Sequence, residues 1–296
     1  MNLIKKAAGK LNLIGSAVMI EHTLFSLPLA VGAFLLESKG RPDPMKVLWI
    51  LLAVFGARNG ANALNRIVDR HIDKANPRTA GRDLPSGRLK PLELALFSAL
   101  CLGLFLFAAW MLNPLCLALV PLALVLIFGY SYTKRFTFLC HYWLGITTSA
   151  AVMGSFLALH GSFELRFFPL TAGAALWVAG FDIIYAVQDI DHDRREGIHS
   201  VPAFFGKKWG LNISALTHMG ALFFWGVNFL FFPLRFWFAA GLVLAAVILA
   251  AEQVIARKGS LKRIPLASYH LNQLLSPLLL LFMVLDIYLP GGLYGR

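Results

Sequence analysis

Charged residues are scarce in this sequence, and long polar stretches are nearly absent. Only 14% of the 296 residues are Asp, Glu, Lys or Arg, whereas 58% are hydrophobic. An ordinary soluble domain has about 25% charged and about 45–50% apolar residues. The apolar residues here recur along the whole chain in runs of about twenty, the length that crosses a bilayer. The composition therefore excludes a simple soluble globule and predicts a protein whose solvent is lipid.

Cysteine is also rare. The three cysteines lie within or beside apolar runs, and no two of them have the Cys-x-x-Cys spacing that is typical of zinc sites: they are Cys101, Cys116 and Cys140. The pattern indicates neither a disulfide framework nor a zinc site. We expect the cysteines to behave as small hydrophobic side chains in the core.

Nine apolar segments are long enough to cross a hydrocarbon core of about 30 Å, which takes about 20 helical residues. No low-complexity tract or soluble-domain linker interrupts them, so we predict a single all-α transmembrane domain over residues 1–296, a bundle of nine helices. The first segment lacks a small-residue cleavage site and is expected to be retained rather than removed as a signal peptide. The segments lie near residues 17–37, 46–65, 91–112, 115–131, 138–159, 167–188, 210–233, 235–255 and 269–289.

The loop charges predict the orientation of these spans. Most of the 27 lysines and arginines fall on the side of the N-terminal tail, and the cytoplasmic side of a membrane protein is the one that is rich in these residues. A cytoplasmic N-terminus follows. Because the net charge of +12 is divided among short juxtamembrane loops and is not collected on a basic domain, a nucleic-acid-binding role is excluded.

The second span is followed by a motif of spaced polar side chains, residues 65–73. Asn65, Asp69 and Asp73 are each four positions apart. On a helix, each step of four advances about 6 Å and about 40°, so these three side chains are predicted to line one stripe where their oxygens can converge on cations. We refer to residues 65–73 as motif 1.

A second motif, residues 185–193, follows the sixth span on the same side of the membrane. Asp189 and Asp193 repeat the four-residue step, whereas Asp191 is expected to point away from them. Oxygen-rich sites of this kind suit Mg²⁺, which is typically held by one or two carboxylates, water and substrate phosphates. Motifs 1 and 2 therefore predict two Asp-rich cytoplasmic loops that cap a central cavity and hold a diphosphate.

Together these motifs resemble the UbiA superfamily of intramembrane prenyltransferases. Besides motif 1 and the Asn-Pro-Arg-Thr-Ala-Gly-Arg string after it, the resemblance rests on Tyr130-Ser-Tyr-Thr-Lys134-Arg135 and on Asp182-x₂-Tyr185-x₃-Asp189-x₃-Asp193. The longer strings are most similar to 4-hydroxybenzoate polyprenyltransferases and to related enzymes of menaquinone pathways. The chain departs from the pattern where Arg66 stands at a position that is acidic in many members.

The resemblance implies Mg²⁺-dependent transfer of a polyprenyl group from its diphosphate to an aromatic acid. The expected acceptor is 4-hydroxybenzoate, with 1,4-dihydroxy-6-naphthoate as the alternative, and the residues do not separate the two. The implied location is a bacterial cytoplasmic membrane, with the active site facing the cytoplasm and with no nucleic-acid or obligate protein partner. A multi-span transporter is the alternative from another class. It is disfavoured because the acids lie at one face and no paired broken helices mark a midplane site.

The resemblance also implies roles for individual residues. Two Mg²⁺ ions that bridge the diphosphate would be held by Asn65, Asp69, Asp73, Asp189 and Asp193, and the four aspartates would be catalytic through these ions. Lys134 would contact the phosphates directly, with three arginines behind it: Arg70, Arg78 and Arg135. Two tyrosines would stabilise an allylic cation through their ring faces: Tyr130 and Tyr185.

Two ionisable residues lie within predicted spans. Arg58 lies seven residues before Asn65, and Asp182 lies seven residues before Asp189. Charged groups inside a membrane usually face the interior of the bundle and carry function. We expect Arg58 to bind the carboxylate of the acceptor. For Asp182 two interpretations remain open: it orients the acceptor or takes its proton, or it forms a buried salt bridge with Arg58.

Overall fold

Helices form the whole of the regular structure in the described part of the chain. The structure is a computed structural model that describes residues 2–19 and 23–289. The helices are α1 (Asn2–Val18), α2 (Thr23–Glu37), α3 (Pro44–Val68), α4 (Arg70–Ala75), α5 (Pro91–Leu112), α6 (Pro114–Thr133), α7 (Cys140–His160), α8 (Phe168–Ala186), α9 (Ile190–Arg195), α10 (Val201–Val227), α11 (Phe236–Lys258) and α12 (Leu271–Tyr288).

Eight helical segments are long and apolar enough to cross a membrane, which makes the chain a multi-pass membrane protein. They contain α3, α5, α6, α7, α8, α10, α11 and α12. The segment predicted over 17–37 is different, because α1 ends at Val18 and α2 has only 15 residues. At 1.5 Å per residue, α2 is about 22 Å long, so the ninth crossing stays a prediction. Residues 20–22 of that segment lie outside the described residues.

Proline and short polar side chains determine where several helices begin. α3, α5 and α6 each begin with proline, which has no N–H group to leave unpaired in the first turn. Asp43 accepts a hydrogen bond from Met45 N at 2.8 Å, and Asn113 accepts one from Cys116 N at 2.8 Å. These caps satisfy backbone donors that a helix start would otherwise leave without a partner.

Glycine allows neighbouring helices to approach closely. A Cβ atom on Gly56 of α3 would lie 2.5 Å from the Cys101 carbonyl oxygen of α5, and one on Gly145 of α7 would lie 2.2 Å from the Ala175 oxygen of α8. Small residues at such crossings let backbones pack together, which matters in lipid because the hydrophobic effect does not drive helices together there.

One end of the bundle carries the predicted motifs. α3 ends at Val68 and α8 ends at Ala186, and the short helices α4 and α9 follow them. The segment 76–90 between α4 and α5 is folded by its own turns, such as the hydrogen bonds from the N–H groups of Thr79 and Ala80 to the Asn76 carbonyl. It reaches across to the end of α8, as described below.

We expect Gly145→Ala to lower the free energy of unfolding, because the new methyl group would force α7 away from α8. Overpacking of this kind typically costs about 1–3 kcal/mol. The measurement is thermal unfolding of the purified protein in detergent. Gly154→Ala is the matched control, since it lies on the same helix and a Cβ atom there would meet nothing within 4 Å. Equal melting temperatures for the two variants would contradict a tight α7–α8 contact at Gly145.

Candidate active site

A polar cavity of about 610 Å³ lies at the end of the bundle where both motifs are found. Helices α3, α6, α7 and α8 supply its walls, and α4, α9 and segment 76–90 contribute from the loop side. All five predicted metal ligands line it, together with many of the other predicted site residues: Asn65, Asp69, Asp73, Asp189, Asp193, Arg58, Arg78, Tyr130, Lys134, Asp182 and Tyr185.

Motif 1 is divided between two helices. The backbone of Asp69, with φ of −89° and ψ of 2°, separates α3 from α4, although the hydrogen bonds from Asp69 N to Asn65 O and from Asp73 N to Asp69 O are both present. The contacts nevertheless bring the side chains together, since Asn65 Nδ2 donates to Asp69 Oδ2 at 2.8 Å. Asp69 and Asp73 are both buried, and both line the polar cavity.

Cationic side chains bind both carboxylates of motif 1. Lys134 Nζ lies 2.6 Å from Asp69 Oδ2, and Arg135 donates to Asp69 Oδ1 at 3.2 Å. Arg82 donates to both oxygens of Asp73, at 2.8 and 2.9 Å. Because these cations come from the end of α6 and from segment 76–90, motif 1 is held by two separate parts of the chain.

Motif 2 is held mainly by segment 76–90. Arg78 contacts both oxygens of Asp189, at 2.9 and 2.5 Å, and donates to Tyr185 Oη at 2.6 Å. Asn76 Nδ2 adds a hydrogen bond of 2.9 Å to Asp189, and Ser200 donates to Asp193 at 2.8 Å. A bidentate pair between arginine and a carboxylate is among the stronger polar contacts in proteins, so it joins the two loops.

Burial and charge act against each other at Arg78. Burial alone would lower the pKa of its guanidinium, but the hydrogen bonds and the negative charge of Asp189 outweigh that effect. The pKa of Arg78 is therefore raised above its ordinary value. Arg78 stays charged at neutral pH, as a partner for a carboxylate or a phosphate must.

Arg58 and Asp182 do not form the salt bridge that was one of the two interpretations. Among the described residues, each has another partner: Arg58 donates to Thr148 Oγ1 at 3.0 Å, and Asp182 Oδ2 lies 2.6 Å from His141 Nδ1. Both side chains line the polar cavity, as expected for charged groups within spans. The pairing with His141 was not foreseen.

Two of the predicted phosphate-binding arginines lie outside the lining of the cavity. Arg70 is exposed, and its guanidinium donates to the Ile67 carbonyl one turn earlier. Arg135 lies behind Asp69, where it also donates to the carbonyls of Ser131 and Val68. Arg70 lies within motif 1 in the chain, but its position on α4 turns the side chain outward.

Several cavity residues were not predicted as site residues. Arg66 replaces an acid of the family pattern; it donates to the Ala17 carbonyl at 3.0 Å and lies 3.8 Å from Asp73. Others include Asn62, Asn76, Arg82, His141 and His192. Arg82 and Asn76 stand in the string after motif 1, which was a usable signal. His141 has no metal-like spacing to other histidines, so the sequence offered no signal for it.

An apolar cavity of about 620 Å³ adjoins the polar one, and Arg58 and Thr148 line both. Its remaining lining is almost wholly hydrophobic, with alanines and leucines of α3, α6 and α7. Phe163 and Phe168 also line it and are 59% and 51% exposed, so the apolar cavity borders the outer surface there.

The donor set of the polar cavity suits Mg²⁺. Four motif carboxylates and the side-chain amides of Asn65 and Asn76 line one cavity, and these are the hard oxygen donors that Mg²⁺ prefers. Within residues 2–19 and 23–289, no group of three or more His, Cys, Asp and Glu side chains is close enough to hold a metal ion. A bound Mg²⁺ would therefore draw part of its oxygen shell from a phosphate, which is its usual coordination in enzymes that bind phosphates.

Known proteins resemble this chain in sequence. A model of the UbiA prenyltransferase family matches residues 26–274. The 4-hydroxybenzoate octaprenyltransferase of Janthinobacterium sp. (strain Marseille) is 32% identical over 250 residues, which cover 82% of this chain and 83% of the relative. The protein of the same name from Aeromonas salmonicida (strain A449) is 32% identical over 246 residues, which cover 83% of this chain and 82% of the relative.

Solved structures share the fold. The apo structure of a UbiA homolog from Aeropyrum pernix K1 has a TM-score of 0.81 and 33% identity, covering 90% of this chain and 98% of that chain. The structure of a UbiA homolog from Archaeoglobus fulgidus bound to GPP and Mg²⁺ has a TM-score of 0.72 at 18% identity, covering 94% of this chain and 100% of that one. At that identity, the second likeness shows the fold alone.

We expect Arg78→Ala to release segment 76–90 from the end of α8. Loss of the charged hydrogen bonds to Asp189 removes about 1.5–3 kcal/mol of local stability, so amide hydrogen exchange in the segment should become roughly 10- to 100-fold faster. Exchange is measured by mass spectrometry of the detergent-solubilised protein. Arg70→Ala is the control, because the hydrogen bond of its guanidinium within the described part of the chain goes to the Ile67 carbonyl of its own turn. Unchanged exchange in Arg78→Ala would show that this ion pair does not hold the loop.

Proposed function

The chain belongs to the UbiA prenyltransferase family, and from that premise we propose that it transfers a polyprenyl group from polyprenyl diphosphate to a carboxylated aromatic acceptor. The first choice of acceptor is 4-hydroxybenzoate, which the relatives' names support. One observation carries the proposal: a polar cavity lined by both motifs adjoins an apolar cavity, and Arg58 and Thr148 line both.

The diphosphate would bind among the cations of the polar cavity. Lys134, Arg78 and Arg82 line it, and each is paired with a motif carboxylate. Bound Mg²⁺, which we propose to be two ions held by Asn65, Asp69, Asp73, Asp189 and Asp193, would supply positive charge to the departing diphosphate. The three cationic side chains can then turn from the carboxylates to the phosphate oxygens. Such stabilisation of a leaving group's charge is usually the largest part of catalysis of this kind.

The prenyl chain would lie in the apolar cavity. An isoprenoid has no polar atoms, and the hydrophobic lining of this cavity buries it without leaving a polar group unpaired. The cavity borders the outer surface near Phe163 and Phe168, where a long chain can continue into lipid. Exclusion of water from this space also protects an allylic cation from capture, and the ring faces of Tyr130 and Tyr185 can stabilise the cation.

The acceptor would bind where the two cavities meet. The Arg58 Nε–H group is buried and has no hydrogen-bond partner among the residues that the structure describes, and an unsatisfied buried donor costs about 1–3 kcal/mol. The carboxylate of a hydroxybenzoate would satisfy this donor and bring the activated ring close to the end of the prenyl chain. Arg58 is thus proposed as the acceptor-binding residue, with Asp182 lining the same cavity.

The proposed orientation follows the loop charges. We place the N-terminus and the polar cavity on the cytoplasmic side of a bacterial inner membrane, with α2 as a ninth crossing. The whole chain, residues 1–296, would act as one domain. Its partners would be the two substrates and the bilayer, with neither nucleic acid nor an obligate protein partner.

The purified protein in nanodiscs tests this proposal. Geranyl diphosphate is supplied with 4-hydroxybenzoate or with 1,4-dihydroxy-6-naphthoate, with and without Mg²⁺, and products are read by mass spectrometry. We expect a prenyl adduct of 4-hydroxybenzoate that disappears when EDTA removes the metal. An adduct of the naphthoate alone would identify 1,4-dihydroxy-6-naphthoate as the acceptor in place of 4-hydroxybenzoate. The absence of an adduct with either compound would overturn the proposed reaction.

Neighbouring aspartates of motif 2 give a matched test of the site. Asp189→Asn removes a charge from the cavity, and we expect the rate of adduct formation to fall by at least about 100-fold, the scale of losing a preorganised electrostatic group. Asp191→Asn makes the same chemical change at an exposed position two residues away, and its rate should stay near that of the wild type. Equal rates for the two variants would remove motif 2 from the site.

A further inference from the structure

The proposed reaction requires one more group than those assigned above. When the ring carbon beside the hydroxyl group bonds to the prenyl carbon, the electron pair of the broken C–O bond leaves with the diphosphate. The ring is then a cation that still carries its hydrogen at the attacked carbon. A base must remove that proton before aromaticity returns. The inference that follows rests on the proposed function and names this base.

Five carboxylates line the polar cavity, and three of them are held by lysine or arginine: Asp69, Asp73 and Asp189. A fourth, Asp193, belongs to motif 2 and accepts a hydrogen bond from Ser200. Carboxylates that bind cations are weak proton acceptors, because the neighbouring positive charge favours their ionised form. Asp182 is the remaining carboxylate in the lining, and it belongs to neither metal motif.

Asp182 is held by a histidine in a defined tautomer. His141 Nε2 lies 3.2 Å from the backbone nitrogen of Val201, and a backbone N–H group can only donate. Nε2 is therefore the acceptor, and Nδ1 carries the hydrogen that points to Asp182 Oδ2, 2.6 Å away. The histidine side chain is only 3% exposed, so it is fixed between α8 and the start of α10.

This arrangement leaves the other oxygen of Asp182 available. The Asp182 side chain is 28% exposed, and the cavity that it lines is the one that holds both motifs. Its only hydrogen bond among the described residues is the one from His141, through Oδ2. Oδ1 can therefore meet a substrate while Oδ2 holds the carboxylate in place.

The positions of Arg58 and Asp182 suit the two ends of one acceptor. Arg58 on α3 lies seven residues before Asn65, and Asp182 on α8 lies seven residues before Asp189. Both line the same polar cavity, yet each hydrogen-bonds a different partner. An aromatic acid bound by Arg58 through its carboxylate would thus lie beside Asp182.

We propose that Asp182 Oδ1 takes the proton from the prenylated ring carbon and that His141 is the positioning residue for this step. The ring C–H bond breaks, its electron pair restores the aromatic ring, and the proton forms the carboxylic acid of Asp182. The hydrogen bond from His141 Nδ1 holds Asp182 Oδ2 throughout. The proton then leaves through the open polar cavity to solvent.

An isotope experiment tests the role of Asp182. Rates are measured with ordinary 4-hydroxybenzoate and with 4-hydroxybenzoate deuterated at both ring carbons beside the hydroxyl group. For the wild type we expect nearly equal rates, because C–O cleavage precedes loss of the ring hydrogen. For Asp182→Asn we expect kcat to fall by about 10²- to 10⁴-fold, the usual contribution of a general base. The deuterated acceptor should also react clearly more slowly, because proton loss has become rate-limiting.

The role of His141 has its own pair of variants. His141→Leu should lower kcat and produce the same isotope effect with little change in the KM for geranyl diphosphate. In His141→Asn, the side-chain amide can donate from near the position of Nδ1, so this variant should recover much of the lost rate. Asp191→Asn serves as the control, and thermal unfolding in detergent confirms that each variant is folded.

Two outcomes would overturn the inference while leaving the proposed function intact. One is an active wild type with an Asp182→Asn variant whose only defect is a higher KM for the acceptor, without an isotope effect. The other is a His141→Asn variant as impaired as His141→Leu. Failure of the wild type to form any prenyl adduct would instead overturn the proposed function itself. If only the naphthoate is prenylated, the same comparison uses that acceptor deuterated at its reacting carbon.

Discussion

Pairing of opposite charges at one end of an apolar bundle is the constraint on which the rest of this structure depends. Carboxylates at the ends of α3 and α8 are partly or wholly removed from water, and an unpaired charge there would be costly. Lys134, Arg78 and Arg82 meet this requirement. Arg78 and Arg82 thereby hold segment 76–90 across the cavity, so the interactions that stabilise the loops are also those that prepare the site for an anion.

Because the charges in this cavity are balanced, its cationic side chains and its carboxylates can exchange each other for the phosphates and metal ions of a substrate complex. Each cation that now binds a carboxylate has the geometry to bind a phosphate oxygen, and each carboxylate has the chemistry to bind Mg²⁺. Diphosphate and metal ions would therefore enter together with little change in net charge. This explains why acids and bases are concentrated in the same loops of a chain in which charge is otherwise scarce.

The pairing of His141 with Asp182 differs chemically from the ion pairs of the motifs, in which lysine or arginine binds the carboxylate. A histidine fixed by the backbone N–H group of Val201 donates one hydrogen bond to the carboxylate without the full positive charge of an arginine. It thus orients Asp182 while leaving its second oxygen chemically available. The arginine and lysine pairs stabilise charge at the motif carboxylates. The pair of His141 and Asp182 serves the proposed proton transfer, at a position on α8 about two helical turns before Asp189.

The sequence by itself determined that the chain lies in a lipid bilayer and that it is all-helical. It also determined the two motifs and the family resemblance, because all of these depend on composition and on spacing along one chain. A run of apolar residues predicts a span wherever it lies, and a four-residue step keeps Asn65 close to Asp69 even though the helix is interrupted there. Only the tertiary structure decided which groups meet. Arg78 and Asp189 are 111 positions apart, and Lys134 and Asp69 are 65 apart. Helix packing sets the direction of each side chain. It turns Arg70 outward, and it places Asp182 in hydrogen-bonding distance of His141 and not of Arg58. It also brings Arg58 to the place where the two cavities meet.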